Sequence, residues 1–333
     1  MTRVAVVGAG SWGTTLANLL RGKGDDVLIW AYEPEVADEI NRRHRNDLFL
    51  PDAPLDPLLK ATTELVAAVD GAEVVVCASP SHVVRRVMGG AAKWLERGAI
   101  VVSASKGLEP QTHKRVTEVL ADVLPPDTAI AALSGPTFAR EVYERQPTAA
   151  VAAAASQETA RRTQTALSVP YLRLYSSDDV IGVELAGALK NVIAIAAGIL
   201  DGLGLGHNAR AALVSRGLAE ITRLGVAMGA RAATFAGLAG MGDLLLTSTG
   251  PLSRNRSHGV EVGQGKTLEQ VLARRLSVAE GVGTARAAVE LAASVGVELP
   301  IAREVVSVLF EGKPPRQAIG DLMERSLKSE TWS

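Results

Sequence analysis

Three glycines near the amino end constrain this chain more than any other feature. Val4–Val7 is a short apolar run that reads as a strand, and it ends in Gly8-Ala9-Gly10-Ser11-Trp12-Gly13. Thr14–Arg21 then reads as a helix. Strand, Gly-x-Gly-x-x-Gly and helix in that order form a dinucleotide-binding turn. Gly8 permits the tight turn, Gly10 lets a pyrophosphate approach the backbone, and Gly13 lets helix and strand pack closely. The anion then rests on the amino end of the helix.

The segments that follow fit that opening. Val27–Trp30 reads as a second strand, and Glu33 stands 20 residues after Gly13, where an acidic side chain meets the adenosine ribose hydroxyls. A carboxylate there repels a 2′-phosphate and favours NAD over NADP, although a solvated loop glutamate fits the same position. Glu73–Ala78 runs into Ser79-Pro80-Ser81-His82, Ala99–Ser103 into Ala104-Ser105-Lys106-Gly107, and Ala129–Leu133 into Ser134-Gly135-Pro136-Thr137. Helical patterns at Val83–Glu96 and Thr112–Leu124 alternate with these strands, which predicts a parallel sheet. Ligands of such sheets bind beyond the carboxyl ends of the strands. Lys106 and the Ser134–Thr137 turn lie at such ends. His82 does too, although a surface role is the simpler reading for it. Ala149–Ala154 and Tyr171–Tyr175, around a helix starting near Ser156, complete the sheet, and the alanine-rich run by itself fits strand or helix.

Strand patterns stop after Ser177-Asp178-Asp179. Helices are predicted at Asp179–Leu200, Ala209–Gly229, Leu268–Leu276, Thr284–Val295, Ile301–Phe310 and Pro315–Leu327, with a broken stretch near Ala236–Thr247. Asp178 or Asp179 is placed to cap the first of them. Thr267 with Gln270, and Ser277 with Glu280, have capping-box spacing. The expected division is a dinucleotide-binding domain over 1–177 and a helical substrate-binding domain over 178–333.

Val183–Ala197 is apolar on nearly every side, the pattern of a helix buried all round, yet its middle holds Lys190 and Asn191. A buried lysine needs a partner, and a lysine snorkelling along the helix to water is the alternative. Two further stretches are polar in a marked way. Gly237–Leu244 is glycine-dense and carries a carboxylate, Asp243. Ser253-Arg254-Asn255-Arg256 is a compact cluster in which guanidinium, hydroxyl and amide groups would clamp an oxyanion, while a solvated loop has the same composition.

Composition narrows the function classes. Of 333 residues, 47% are hydrophobic, enough for about two cored domains. Lys plus Arg (35) nearly equals Asp plus Glu (36), so no basic surface for nucleic acid or membrane is expected. The apolar run before the glycines is too short for a signal peptide. Val180–Leu200 is interrupted by Glu184 and Lys190, which argues against a membrane span. The single cysteine, Cys77, lies in a buried-strand context and fits a packing role in a reducing, cytoplasmic setting.

Taken in order, these motifs resemble the bacterial NAD(P)-dependent glycerol-3-phosphate dehydrogenase family. The resemblance spans nearly the whole chain: G-A-G-S-W-G-T at 8–14, S-K-G at 105–107, L-S-G-P-T-F-A at 133–139, E-L-A-G-A-L-K-N-V at 184–192, G-M-G-D-L-L-L-T at 240–247 and S-R-N-R at 253–256. It implies an α/β fold: a Rossmann-type doubly wound sheet, then an all-helical C-terminal domain like that of 6-phosphogluconate dehydrogenase, with the site between them. It implies reversible reduction of dihydroxyacetone phosphate to sn-glycerol 3-phosphate with NAD or NADP, for phospholipid synthesis, by a homodimer without a metal. Carried onto matching positions, Gly8, Gly10, Ser11, Trp12 and Gly13 hold the cofactor, with Tyr32 and Glu33 near its adenosine end and Ala139 beside it. Lys106 meets both substrate and cofactor, and Gly135 and Thr137 line the substrate. Lys190 is the implied proton donor and acceptor, with Asn191 and Asp243 beside it. Ser253, Arg254 and Asn255 hold the substrate phosphate, Arg254 also nearing the cofactor, and Val278 and Glu280 close over the cofactor. Tyr32 departs from the family, where His or Arg is common, and that leaves NAD versus NADP open.

The implied chemistry suits these residues. Hydride arriving at a ketone carbon builds charge on the oxygen, which a protonated lysine stabilises and then neutralises. Desolvation lowers a lysine pKa and a carboxylate such as Asp243 raises it. Other two-domain dehydrogenases, ketopantoate-type reductases among them, share the plan but not the S-R-N-R cluster or the L-S-G-P-T turn. A redox sensor would need the glycine turn but not Lys106, Lys190 and Asp243 together.

Overall fold

The structure, a computed structural model, describes residues 1–273, 280–327 and 329–330. Its strands are β1 Arg3–Val7, β2 Asp26–Trp30, β3 Lys60–Thr62, β4 Val74–Cys77, β5 Ile100–Ser103, β6 Ala129–Ser134, β7 Thr148–Ala153 and β8 Leu172–Ser177. They form one sheet in the order β3-β2-β1-β4-β5-β6-β7-β8. The first six strands follow the doubly wound order of dinucleotide-binding folds. The helices among them are α1 Ser11–Lys23, α2 Pro34–Arg43, α3 Leu65–Val69, α4 Val84–Ala91, α5 Val116–Val123, α6 Ala139–Tyr143 and α7 Gln157–Leu167.

The apolar strand runs exist because both faces of the sheet are covered. In β1, Val4 and Val6 join one core and Ala5 and Val7 the other; β4 divides likewise into Val74 with Val76 and Val75 with Cys77. Leu16 and Leu20 of α1, Ile40 of α2 and Leu167 of α7 pack on the first face. Met88 of α4 and Leu120 of α5 pack on the second. Cys77 is fully buried there, and burial pushes its thiol up to about 11, as a packing residue requires.

One expectation fails at the sheet's far end. The alanine-rich run is a strand, β7, but it pairs antiparallel with β6, and β8 pairs parallel with β7. A parallel return needs a crossover of a dozen or more residues that is usually a helix running back along the sheet. The connector holds only α6, five residues, or about 7.5 Å of helix. The reversal has a consequence for the site. Ser177 at the end of β8 lies beside Ala153, which lies beside Ala132, short of the last residue of β6. The next helix therefore starts below the carboxyl ends of the sheet and climbs past them.

That helix is α8, Val180–Gly202, followed by α9 His207–Ala227, α10 Ala232–Phe235, a π-helical turn Leu238–Gly242, α11 Asp243–Thr249, α12 Arg254–Gly263, α13 Leu268–Leu272, α14 Glu280–Ser294, α15 Pro300–Phe310 and α16 Pro315–Met323. Asp179 caps α8, accepting from Gly182 N at 2.9 Å. By length and composition α8 could cross a membrane, but 83% of its most apolar window is buried within the protein. It is the axis around which Leu224, Phe235, Ala288 and Val305 pack. The polar cluster at Ser253–Arg256 opens helix α12 and is not a loop. Helices α2, α3, α6, α10 and α12 and strand β3 had no expectation behind them. The pattern read at Leu268–Leu276 ends as helix at Leu272, and residues 274–279 lie outside the described residues, as does Ser277 of the second capping pair. The last helix stops at Met323, short of Leu327.

Candidate active site

The glycine turn is built as its spacing requires. Gly8 has φ +121°, and a Cβ there would lie 2.9 Å from the carbonyl carbon of Ala78. A Cβ on Gly13 would stand 1.9 Å from Gly8 O, while Gly10 faces open space. Gly10 caps α1 without a side chain, so the first N–H groups of α1 are left for an anion. Ser11 opens α1, and Trp12 packs against the first core with its indole Nε1 buried and unpartnered. Open space, uncapped amides and an orphan donor together fit a dinucleotide phosphate group. Asn46 holds the turn from behind: its Nδ2 donates to Ala9 O and to Thr14 Oγ1, both at 2.8 Å. Its partners are more than thirty residues away in sequence, which hid it from a local reading.

At the end of β2, Tyr32 is exposed and its ring meets Trp30 edge-on at 6.3 Å. Glu33 sits at the amino end of α2 without capping it by its side chain. Ala139 opens α6, and its carbonyl accepts from Thr15 of α1 at 3.2 Å. His82 lies exposed at the end of β4.

Beyond β5 and β6 two lysines converge on one carboxylate. Lys106 Nζ donates to Gly135 O at 2.8 Å, to Thr137 Oγ1 at 3.3 Å and to Asp243 Oδ2 at 2.8 Å. Lys190 Nζ donates to the other oxygen of Asp243 and, at 2.8 Å, to Thr247 Oγ1. Lys190 is 6% exposed and Asp243 1%, so the snorkelling alternative does not hold. Burial pushes the Lys190 ammonium down to about 7; Asp243 opposes this and the Lys106 charge adds to it. Thr247 was not singled out in the sequence, although it stands one helical turn after Asp243, the spacing that places two side chains on one face.

Gly135 has φ +143°, and a Cβ there would come 2.8 Å from Ala150 Cα, so only glycine lets β7 pass so close to the Lys106 acceptor. Asn191 joins three elements: its Nδ2 donates to Lys106 O at 3.0 Å, and its Oδ1 accepts from Asn255 Nδ2 at 2.9 Å. Asn255 Oδ1 in turn accepts from Gly281 N at 3.1 Å, at the start of α14. Ser253 caps α12, accepting from Arg256 N at 3.2 Å.

The two arginines of the cluster part company. Arg256 is tied down, its Nε 2.7 Å from Asp201 Oδ2. Arg254 is exposed and makes no ion pair among the described residues. Its charge acts on Glu280, which burial pushes up while Arg254, Lys106 and Lys190 pull it down. Glu280 also accepts from Ser81 N at 3.4 Å, bridging α14 to the end of β4. Val278 lies outside the described residues.

Helix α12, which begins with Arg254, lies against α8 along a pair of glycine rows. Gly198 and Gly202 of α8 face Gly259 and Gly263 of α12. A Cβ on Gly198 would stand 2.0 Å from Arg256 O, and one on Gly259 would stand 2.1 Å from Ile195 O. The helix backbones touch, and no larger residue fits between them.

The chain is similar to known proteins over nearly its whole length. Residues 3–160 match the family described as NAD-dependent glycerol-3-phosphate dehydrogenase N-terminus, and residues 179–320 match its C-terminus. A protein named glycerol-3-phosphate dehydrogenase [NAD(P)+] from Geobacter sp. (strain M21) is 54% identical over 330 residues, 98% of each chain. The crystal structure of glycerol-3-phosphate dehydrogenase from Coxiella burnetii superposes with a TM-score of 0.92 at 37% identity, covering 97% of this chain and 98% of that one. The structure of the Saccharomyces cerevisiae enzyme has a TM-score of 0.80 at 26% identity, covering 97% and 99%.

Proposed function

We propose that Lys190 is the proton donor and acceptor of this chain, which belongs to the family of NAD-dependent glycerol-3-phosphate dehydrogenases. The reaction is reversible hydride transfer between NAD(P)H and dihydroxyacetone phosphate, giving sn-glycerol 3-phosphate. The bound nicotinamide supplies the hydride. The observation that carries the assignment of roles is the pair of lysines on Asp243, with Lys190 buried and brought to about 7. A group that must hold a proton in one direction and lack it in the other works best near its own pKa.

In the reductive direction Lys190 donates to the ketone oxygen as charge builds there. Asp243 holds Lys190 and Lys106 at a fixed separation, and Lys106 stabilises the same developing charge from the side of Gly135 and Thr137. Asn191 fixes Lys106 through its carbonyl. The substrate phosphate sits at the amino end of α12, where Ser253, Arg254 and Asn255 meet it; exposed Arg254 is free to swing onto it, which Arg256 is not. Binding energy from that distant phosphate serves to orient the reacting carbon. Gly8, Gly10, Ser11, Trp12 and Gly13 would hold the cofactor pyrophosphate, Tyr32 and Glu33 its adenosine end, and Ala139, Glu280 and Val278 the remainder.

We read residues 1–177 as the dinucleotide-binding domain and 178–333 as the substrate-binding domain. The product would feed glycerophospholipid synthesis in the cytoplasm, and the enzyme would act as a homodimer. A two-fold pair is the commonest oligomer, and a lone buried thiol suits a reducing compartment. The test is a substrate panel read as NADH absorbance. Dihydroxyacetone phosphate is expected to turn over and unphosphorylated dihydroxyacetone to react far more slowly; equal rates would remove the phosphate clamp.

A further inference from the structure

Glu184 lies in the first turns of α8, its side chain 7% exposed, and takes no part in the roles assigned above. Its carboxylate is fully engaged, and every partner comes from the amino end of α5. Arg115 Nη1 donates to Oε2 at 2.8 Å, Thr117 N to Oε1 at 2.9 Å and Thr117 Oγ1 to Oε2 at 2.5 Å. The segment it grips is the far end of the irregular stretch that begins with Lys106. Asn191 grips the near end at Lys106 O. Between them Gly187 lets α8 lie close on the end of β6, since a Cβ there would stand 2.5 Å from Ser134 Oγ, and it leaves the Lys106 side chain in ordinary contact, with Cγ 3.8 Å away. Glu184, Gly187 and Asn191 are spaced three and four apart, so they form one stripe on α8. The middle of the same stretch is tied elsewhere, through Glu109 to Arg85 of α4 at 2.8 Å.

We infer that Glu184 is a positioning residue for the reaction, fixing the Lys106 stretch in register with α8 so that Lys106 and Lys190 reach opposite oxygens of Asp243. This rests on the role proposed for Lys190. Loosening the Glu184 contact frees one of the points at which α8 holds the stretch, the others being Asn191 at Lys106 O and Leu108 in the core around α8, and Lys106 then recedes from Lys190.

Lys190 is the group that reports the change. The charged groups facing it are Asp243 from α11, Lys106 from the strand-end stretch, and Glu280 from α14, with Arg254 of α12 acting on Glu280. Glu184 itself faces Arg115, which also pairs with Glu118. The Lys106 charge is one of the causes that lower the Lys190 pKa. When Lys106 recedes, Lys190 holds its proton to higher pH, and the alkaline limit of ketone reduction moves up.

The experiment measures kcat for dihydroxyacetone phosphate reduction against pH, with thermal midpoints, for wild type, E184A, E184Q, R115K and K190A. E184A is expected to lose about tenfold or more in kcat and to shift the alkaline limb upward. E184Q keeps an acceptor for Thr117 and is expected to recover most of the rate. If E184A does not fold, E184Q and R115K carry the test through smaller shifts of the same sign. A lowered thermal midpoint with kcat and alkaline limb at wild-type values would overturn the inference and leave Glu184 a structural tie. A K190A enzyme with normal kcat would instead overturn the role of Lys190.

Discussion

Lys106 and Lys190 come from opposite halves of the chain and share a single carboxylate, one on each oxygen of Asp243. With both lysines protonated, two cations on one anion leave a net positive charge in a nearly dry site, which suits the negative oxygen that the proposed reduction would develop there.

This arrangement fixes the sign of the pH dependence. As the proposed proton donor, Lys190 has to be protonated for ketone reduction, so kcat for reduction is expected to fall above pH 7, and kcat for oxidation to rise through the same region. Asp243→Asn removes the charge that raises the Lys190 pKa, so the reductive limb is expected to move to lower pH. Lys106→Met removes the charge that lowers it and should move the limb up. Lys190→Ala is expected to cost at least roughly 10²-fold in kcat with cofactor affinity retained. Steady-state kinetics in both directions, with NADH binding followed by fluorescence, check all four statements.

Neighbouring arginines are expected to separate binding from stability. Arg254→Ala should raise the KM for dihydroxyacetone phosphate by roughly 10–100-fold, the scale of a lost charged hydrogen bond, and leave the thermal midpoint near wild type. Arg256→Ala should do the reverse. It removes the pairing to Asp201 at 2.7 Å, at a cost of about 1–2 kcal/mol in a partly exposed pair. A matched loss of KM and midpoint in both variants would mean that the cluster acts as one structural unit.

These cases mark how far the sequence could be read. The glycine turn, the strand ends carrying Lys106 and Gly135, and the buried character of Lys190 are local patterns, and each was legible. Glu33 had its place from a fixed offset. The closeness of α8 to α12 depends on two Gly-x-x-x-Gly pairs about sixty residues apart, and neither pair says which helix it faces. The reversal at β7 was illegible for a different reason. Parallel and antiparallel strands share one apolar pattern when both faces are buried, and only the length of the connector distinguishes them. Asn46 and Glu184 bond to partners distant in sequence; no motif marks Asn46, and the E-L-A-G-A-L-K-N-V motif that Glu184 opens does not say what it faces.

Close helix contact makes a prediction of its own. Gly198→Ala would press a methyl to 2.0 Å from Arg256 O, and Gly259→Ala would press one to 2.1 Å from Ile195 O. Overpacking of this kind costs about 1–3 kcal/mol. Because α12 carries Arg254, the KM for dihydroxyacetone phosphate should rise more than the KM for the cofactor. Gly22→Ala in α1 is the control: nothing lies within 4 Å of its Cβ, and helix propensity alone should add about 0.5–1 kcal/mol. Chemical denaturation and kinetics on the three variants decide the matter.

Glu220 gives a stability prediction. It is 5% exposed and accepts from Ile301 N at 2.8 Å at the start of α15. Burial pushes its carboxyl up to about 7, with the α15 amides opposing. The unfolded chain ionises this group near 4.5, so it loses the proton before the folded chain does. Stability is therefore highest at and below about pH 4.5 as far as this group is concerned, falls between 4.5 and about 7, and levels off above. The loss is of order a few kcal/mol. Glu220→Gln should flatten that part of the profile. Denaturant midpoints of both proteins at pH 5 and pH 8 test it, and parallel profiles would assign the pH dependence elsewhere.

We expect cofactor choice to turn on the ends of β2 and β3. These strands are neighbours, with Trp30 beside Thr62. Glu33 follows the first and Glu64 the second, each at the amino end of a helix that its side chain does not cap. Tyr32 stands exposed between the strand end and Glu33, and it offers a ring face but no cation. A 2′-phosphate placed there would meet two carboxylates, whereas the two ribose hydroxyls of NAD would find an acceptor in Glu33. We therefore expect kcat/KM for NADH to exceed that for NADPH by at least about tenfold, a difference of about 1.4 kcal/mol and within the scale of like-charge repulsion near a protein surface. Glu33→Arg should narrow or reverse the ratio, and Glu64→Gln should narrow it less, with kcat for dihydroxyacetone phosphate retained in both. Equal use of the two cofactors by the wild-type enzyme would mean that the 2′-phosphate points away from both glutamates.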